Sequence, residues 1–321
     1  MAPRPKPGIM PLRPITLGEM FDSGFQAIRS NPRTMIGLSA VVLAVTTVIG
    51  TIPQAFWLRD NGDLMAKTSP TAADVMTVMS GSLESGSVSL LLTMIATQIV
   101  TSMLVLAVSS AVLGRRMSPG EAWRRVRGRL PAVFGLALIQ TVALAGVLVL
   151  PMAPGALIAA SGPGGRVAGV VLMVLGFFGG LALVIFLGTR WAFSAPALLL
   201  EEQRVFAAMR RSFGLVRGSF WRVLGILLLT QLIVSFGSGL ISFPFGLLSG
   251  LLQLLSGSRP YQDVLVNIGQ LLVGGVGEVI AGAVFYPFTA AVTTLLYIDV
   301  RMRREGLDVE LMRAAESGTG A

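Results

Sequence analysis

Six apolar stretches, at about 34–58, 88–113, 130–150, 167–188, 221–243 and 264–298, constrain this chain more than any other feature. Each is near or above the roughly 20 residues an α-helix needs to cross a bilayer core. Only helices and closed barrels satisfy every backbone polar group in lipid, and runs of this length read as helices. The composition agrees: 13% of residues are charged, against about 25% in soluble domains. Mean hydropathy is +0.76. The last stretch is too long for one upright crossing, and Pro287 is placed to kink it. A shorter apolar piece at 242–255, interrupted by Pro244, reads as an outer interfacial segment or a partial re-entry. The 60–86 loop reads as solvated, with one short helix near 72–79.

Charge placement orients the crossings. Five basic residues lie in the stretch through Arg33, six in 114–129, six in 190–222 and four after Asp299; the opposite side receives only Arg59, Lys67, Arg166 and Arg259. Basic residues are retained on the cytoplasmic side, so both termini are expected there. The expected location is a bacterial plasma membrane, crossed six times.

Each pair of crossings has a similar lead-in. Thr16 with Glu19 fits a capping box opening a helix, and Leu17, Met20, Phe21, Phe25 and Ile28 line one face of it. Ser118-Pro-Gly-Glu121 echoes Thr16-Leu-Gly-Glu19, and glycines recur at Gly37, Gly135 and Gly225. The architecture expected is all-α and integral to the membrane. Three parallel hairpin repeats, at about 15–113, 114–188 and 189–304, would each follow a cytoplasmic amphipathic helix lying at the interface. A basic, proline-rich arm at 1–14 precedes the membrane domain at 15–305, and a cytoplasmic tail covers 306–321. The arm has no apolar region of signal-peptide type.

The chemistry open to the chain is limited by what it lacks. There is no Cys and no His. Disulfides, thiolate metal sites, Ser-His-Asp triads and His-dependent hydrolysis are therefore excluded. No P-loop, dinucleotide fingerprint or metalloprotease motif occurs. We expect no enzyme activity, cofactor or metal.

Glu278 is the carboxylate well inside a crossing. Gln270, Gly274, Glu278, Gly282 and Tyr286 fall four residues apart and form one polar, small-residue stripe. A charge at that depth is costly and should face the bundle interior or water. Two readings stand: a proton, cation or polar-solute site, or close packing with Glu278 hydrogen-bonded to Gln98, Gln140 or Gln231. Gly176 and Gly180 make a GxxxG pair suited to packing within the molecule. Arg124, Arg125, Arg127, Arg204, Arg210, Arg211 and Arg217 are candidates for contact with anionic head groups. The net charge of +9 reads as topological rather than as nucleic-acid binding.

Three stretches carry a family resemblance: Pro196-Ala-Leu-Leu-Leu-Glu201 with 207–212 and 215–221, Leu296-Tyr-Ile-Asp-Val-Arg-Met-Arg-Arg-Glu-Gly306, and Pro14-Ile-Thr-Leu-Gly-Glu19. Together they resemble the bacterial glycerophosphoryl diester phosphodiesterase membrane domain family over about 14–310. The family name comes from members that join this part to a catalytic domain. Without histidine that activity does not transfer, and no catalytic residue is carried over. The resemblance implies a multi-spanning membrane protein. The expected function is a non-enzymatic accessory or scaffold in contact with the bilayer, its anionic lipids and a membrane-protein partner. The alternative is a transporter or exporter of a lipid-like or amphipathic solute that uses Glu278.

Overall fold

The computed structural model describes residues 15–65, 71–255 and 264–305, and its regular structure there is helical throughout. The arm at 1–14 and the tail at 306–321 lie outside the described residues. The chain opens with α1 (Leu17–Ser30), where the expected capping box is present: the Thr16 hydroxyl accepts from the Glu19 N–H, and Glu19 accepts from the Thr16 N–H at 2.9 Å. Two long helices follow, α2 (Pro32–Met65) and α3 (Ala72–Val112). Ser118 caps the short α4 (Pro119–Arg127). Then α5 (Leu130–Val149) passes through a 3₁₀ turn into α6 (Ala153–Ala160), which folds back along α7 (Arg166–Trp191). Short helices α8 (Ser194–Leu200) and α9 (Val205–Val216) precede the final pair, α10 (Phe220–Leu255) and α11 (Val264–Glu305).

Among the described residues six segments are long and apolar enough to span a bilayer, one for each crossing expected from the sequence. They are not equally enclosed. In their most apolar windows α3 and α11 are 61% buried, whereas α7 is 6% buried and α10 11%. Thus α11 is the central helix, flanked along its length by α2 and α10, with α3 behind it. The outer helices show large apolar side chains, among them Val167, Phe178, Phe236 and Leu240. In water that surface would be strongly unfavourable; against acyl chains it costs nothing. The molecule is a multi-pass membrane protein.

The densest core lies at one end, where α1, α4, α8 and α9 gather around the last turns of α3 and α11. Tyr297, Phe193, Leu198, Leu104 and Met20 are fully buried there. The first described residue is tied to the last helix at this end, because the Ile15 N–H donates to Asp299 at 2.9 Å. The start of α1 and the end of α11 therefore share one side, as an even number of crossings requires.

The α5–α7 hairpin is zipped by glycine. A Cβ at Gly180 would lie 2.9 Å from the carbonyl oxygens of Val147 and Leu148, and one at Gly176 would overlap the Pro151 carbonyl. Gly155 and Gly169 meet backbone atoms of α7 and α6 in the same way. The GxxxG pair packs within the molecule, as expected. By contrast Gly37 and Gly225 have open space around them, so their recurrence is not a packing requirement.

Several elements differ from the sequence expectation. The piece at 242–255 is neither a re-entry nor a separate interfacial segment; it continues α10 through Pro244. A proline removes one backbone hydrogen bond but need not end a helix packed in lipid against neighbours, and α10 lies along α11 throughout. The short helix expected near 72–79 is the first part of α3, in a stretch with no proline between Pro70 and Pro119 to stop it. Pro287, expected to kink the last helix rather than to end it, lies inside α11.

Candidate functional site

All five residues of the polar stripe on α11 line two cavities that follow one another along that helix. The first, about 350 Å³, is bordered by Gln270, Gly274 and Glu278 of α11, by Thr46, Thr47, Thr51 and Gln54 of α2, and by Ser249 of α10. The second, about 320 Å³, is bordered by Glu278, Gly282 and Tyr286 of α11 and by Gln231, Ser238 and Ser242 of α10. Glu278 and Tyr286 belong to both. Cavities of this size suit a head group or a small organic solute.

Tight contacts hold α11 to its neighbours around the cavities. A Cβ at Gly282 would come within 2.6 Å of Leu43, and one at Gly277 within 2.8 Å of Phe245. Gly274, expected to make such a contact, is loose: the nearest atom is Ser249 Oγ at 4.0 Å. The glycine after it meets Thr47 instead. Glycines of α11 thus seal it against α2 at Gly275 and Gly282 and against α10 at Gly277, while Gln270, Glu278 and Tyr286 border the cavities between these contacts.

The glutamines offered as partners for Glu278 are dispersed. Gln231 lines the second cavity and donates to Ser235 at 3.4 Å. Gln140 donates to the Trp191 carbonyl at 3.4 Å, on the α5–α7 side. Gln98 is partly buried on α3 and borders neither cavity. Gln270 is buried, and its backbone carbonyl accepts from Ser249 at 2.9 Å. Among the described residues Glu278 is hydrogen-bonded to none of them. The hydroxyl-rich face of α2 was missed in the sequence. Its signal was there: Thr47, Thr51 and Gln54 fall on one helical face.

A second polar cluster sits at the dense end. Glu201, where α8 ends, accepts from Arg211 at 2.9 Å and from the Tyr297 hydroxyl. Arg211 also pairs with Glu305 at 2.6 Å, and Arg301 joins both carboxylates, at 3.5 Å to Glu201 and 3.0 Å to Glu305. Beside it, Asp299 is fully buried and meets Arg222 at 3.0 Å and Arg303 at 2.9 Å. The motif residues behind the family resemblance thus form one lock between the α8–α9 turn and the end of α11. Of the arginines expected at head groups, Arg211 is engaged inside this lock. Arg124, Arg127, Arg204, Arg210 and Arg217 are exposed, as is Arg125, which pairs with Glu121 at 3.0 Å.

Burial opposes ionisation of Glu201, but hydrogen bonds from Arg211 and Tyr297, with the charges of Arg211 and Arg301, outweigh it and hold its pKa below the ordinary carboxylate value. The hydrogen bond that Arg211 donates to Glu201 likewise pushes the guanidinium further toward its charged form. A folded-state pKa below the unfolded one stabilises the fold above the unfolded value of 4.5, and the gain is lost as pH falls through the folded value. Thermal midpoints in detergent should therefore fall below that pH more steeply for the wild type than for Glu201→Gln. Parallel pH curves would show that Glu201 carries no such linkage.

Residues 168–310 match a family model described as the membrane domain of glycerophosphoryl diester phosphodiesterase. This is the family that the 196–221 and 296–306 motifs resemble, and the match covers both crossings of the final pair and most of α7. No curated protein and no solved structure matches the chain.

Proposed function

We propose that this chain is a non-catalytic membrane carrier that takes the polar head of an amphipathic solute past Glu278. The observation that carries this reading is the pair of cavities meeting at Glu278 and Tyr286. A packing role for the carboxylate would bury it against an amide, and a solid core would leave no room for solute. Here a carboxylate within a spanning helix opens onto threonine, serine and glutamine side chains on both sides. Such a group favours a cationic or hydrogen-bond-donating head, while the apolar flanks of α10 and α2 suit the tail.

Purified protein in liposomes loaded with a cationic amphiphilic dye tests it. Glu278→Ala and Glu278→Gln should each slow dye movement at least about tenfold, equivalent to about 1.4 kcal/mol of lost interaction, with Glu278→Asp retaining part of the rate. Wild-type vesicles no faster than protein-free ones would sink the carrier reading.

A second reading is an accessory protein or scaffold that contacts anionic lipid and a membrane-protein partner. Exposed arginines on α4 and α9 favour it. Both readings share an orientation: α1, α4 and α9 lie as amphipathic helices on the cytoplasmic face of a bacterial plasma membrane, each leading into one of three hairpin units, with both termini inside. The gathering of basic residues at the dense end supports that orientation.

A further inference from the structure

A third cavity, about 690 Å³, opens between α9 and the last turn of α11. Gln203, Arg210 and Arg211 border it from one side, and Arg304 and Glu305 from the other. Its charge is unbalanced. Arg211 and Arg301 are matched by Glu201 and Glu305, which leaves Arg210 and Arg304 in excess. Arg210 is exposed and has no ion pair among the described residues. Arg304 is already oriented: its Nη1 donates to the carbonyl oxygens of Gly214 at 2.9 Å and Leu215 at 3.1 Å, near the end of α9. The remaining donors of its guanidinium are held in place by those two bonds. Gly218 accommodates them, since a Cβ there would overlap Arg304 Nη2.

Aromatic rings lie near the cavity without lining it. On α9, Phe206 and Phe213 flank Arg210 on its exposed side, and Trp221 follows at the start of α10. Phe206 is 73% exposed and Trp221 80%. Aromatic rings beside arginines are the composition of a membrane–water interface, where rings sit at the head-group level and guanidinium groups reach phosphate.

We propose that this cavity binds the phosphate of an anionic phospholipid, with Arg210 and Arg304 as its two guanidinium ligands and Gln203 as a neutral donor. It rests on the anionic-lipid reading and gives that reading a site; it is independent of Glu278. The two guanidinium groups supply fork-shaped donors that match phosphate oxygens. The neutralised Arg211–Glu305 pair forms the wall rather than competing for the anion.

The test uses the full chain in detergent with equimolar phosphatidylglycerol and phosphatidylcholine, read by native mass spectrometry of retained lipid. Phosphatidylglycerol should be retained in preference to phosphatidylcholine. Arg210→Gln should weaken that retention about fivefold, the effect of one basic residue near an anionic surface, and Arg210→Glu should weaken it further. Gly218→Val, which displaces Arg304 without removing a charge, should weaken it too. Arg115→Gln, between α3 and α4 and away from the cavity, should leave it unchanged. An equal loss in Arg115→Gln would show diffuse attraction and overturn the site while keeping the anionic-lipid reading. Absence of any phosphatidylglycerol preference would overturn both. If millimolar inorganic phosphate, without lipid, raises the thermal midpoint of the wild type but not of Arg210→Glu, the occupant is a soluble anion and the lipid assignment fails.

Discussion

Replacing Asp299 by alanine is expected to lower the thermal midpoint of the detergent-solubilised protein by about 6 °C, taking about 3 kcal/mol, the low end for a broken buried ion pair, and roughly 2 °C per kcal/mol in a chain of this size. Asp299 is fully buried. Its carboxylate satisfies Arg222, Arg303 and the backbone N–H of Ile15 at once. Removing it leaves two guanidinium groups, 34% and 38% exposed, facing each other across the vacated site with only part of their repulsion screened by solvent. Their remaining bonds to the Ile15 carbonyl, at 3.2 and 3.1 Å, hold them close and so maintain the repulsion. Asp299→Asn keeps an acceptor for Ile15 but not the charge, and should fall between the alanine variant and the wild type. The effect should be local in origin, freeing the start of α1 from the end of α11 before the spanning helices separate. A midpoint for Asp299→Ala within about 1 °C of the wild type would mean that this cluster does not hold the two ends together.

The same cluster shows what a sequence can and cannot convey. Thr16 and Glu19 are three residues apart, and their capping box is readable because helix ends obey local rules. The Gln270–Tyr286 stripe is readable for the same reason, since a period of four puts its members on one face wherever the helix sits. The Ile15–Asp299 bond joins residues 284 apart, and the Tyr297–Glu201 bond joins residues 96 apart. Nothing in the local pattern pairs them. Arg211 displays its charge in the sequence but not its partners, so it stands with the other α9 arginines until the fold brings Glu201 and Glu305 to it. Pro244 shows the converse limit. In water its rule is nearly a stop signal, but the length of α11 alongside it gives α10 a surface to follow. The α2 hydroxyl face was legible and was missed because threonines in an apolar run read as tolerated neighbours rather than as a lining.

Gly176→Val should disrupt the α5–α7 hairpin, while Gly179→Val, three residues along the same helix, should be nearly silent. The two substitutions are chemically identical and lie within one turn of each other. Only their surroundings differ. A Cβ at position 176 would overlap the Pro151 carbonyl, whereas at 179 nothing lies within 4 Å. The obstacle at 176 is backbone, in the 3₁₀ turn that joins α5 to α6. It cannot rotate away as a side-chain tip would, so the helices must separate. Overpacking typically costs about 1–3 kcal/mol when neighbours can adjust, and a rigid neighbour places this case at the upper end or above. That corresponds to a fall of roughly 5 °C or more in the thermal midpoint, with loss of a monodisperse elution peak. The hairpin is vulnerable because α7 is the least enclosed of the spanning helices. Lipid solvates its apolar faces equally well whether or not it is packed, so close approach through glycine, not the hydrophobic effect, holds α7 against α5 and α6. If both valine variants behave alike, whether tolerated or misfolded, that account of the hairpin is wrong.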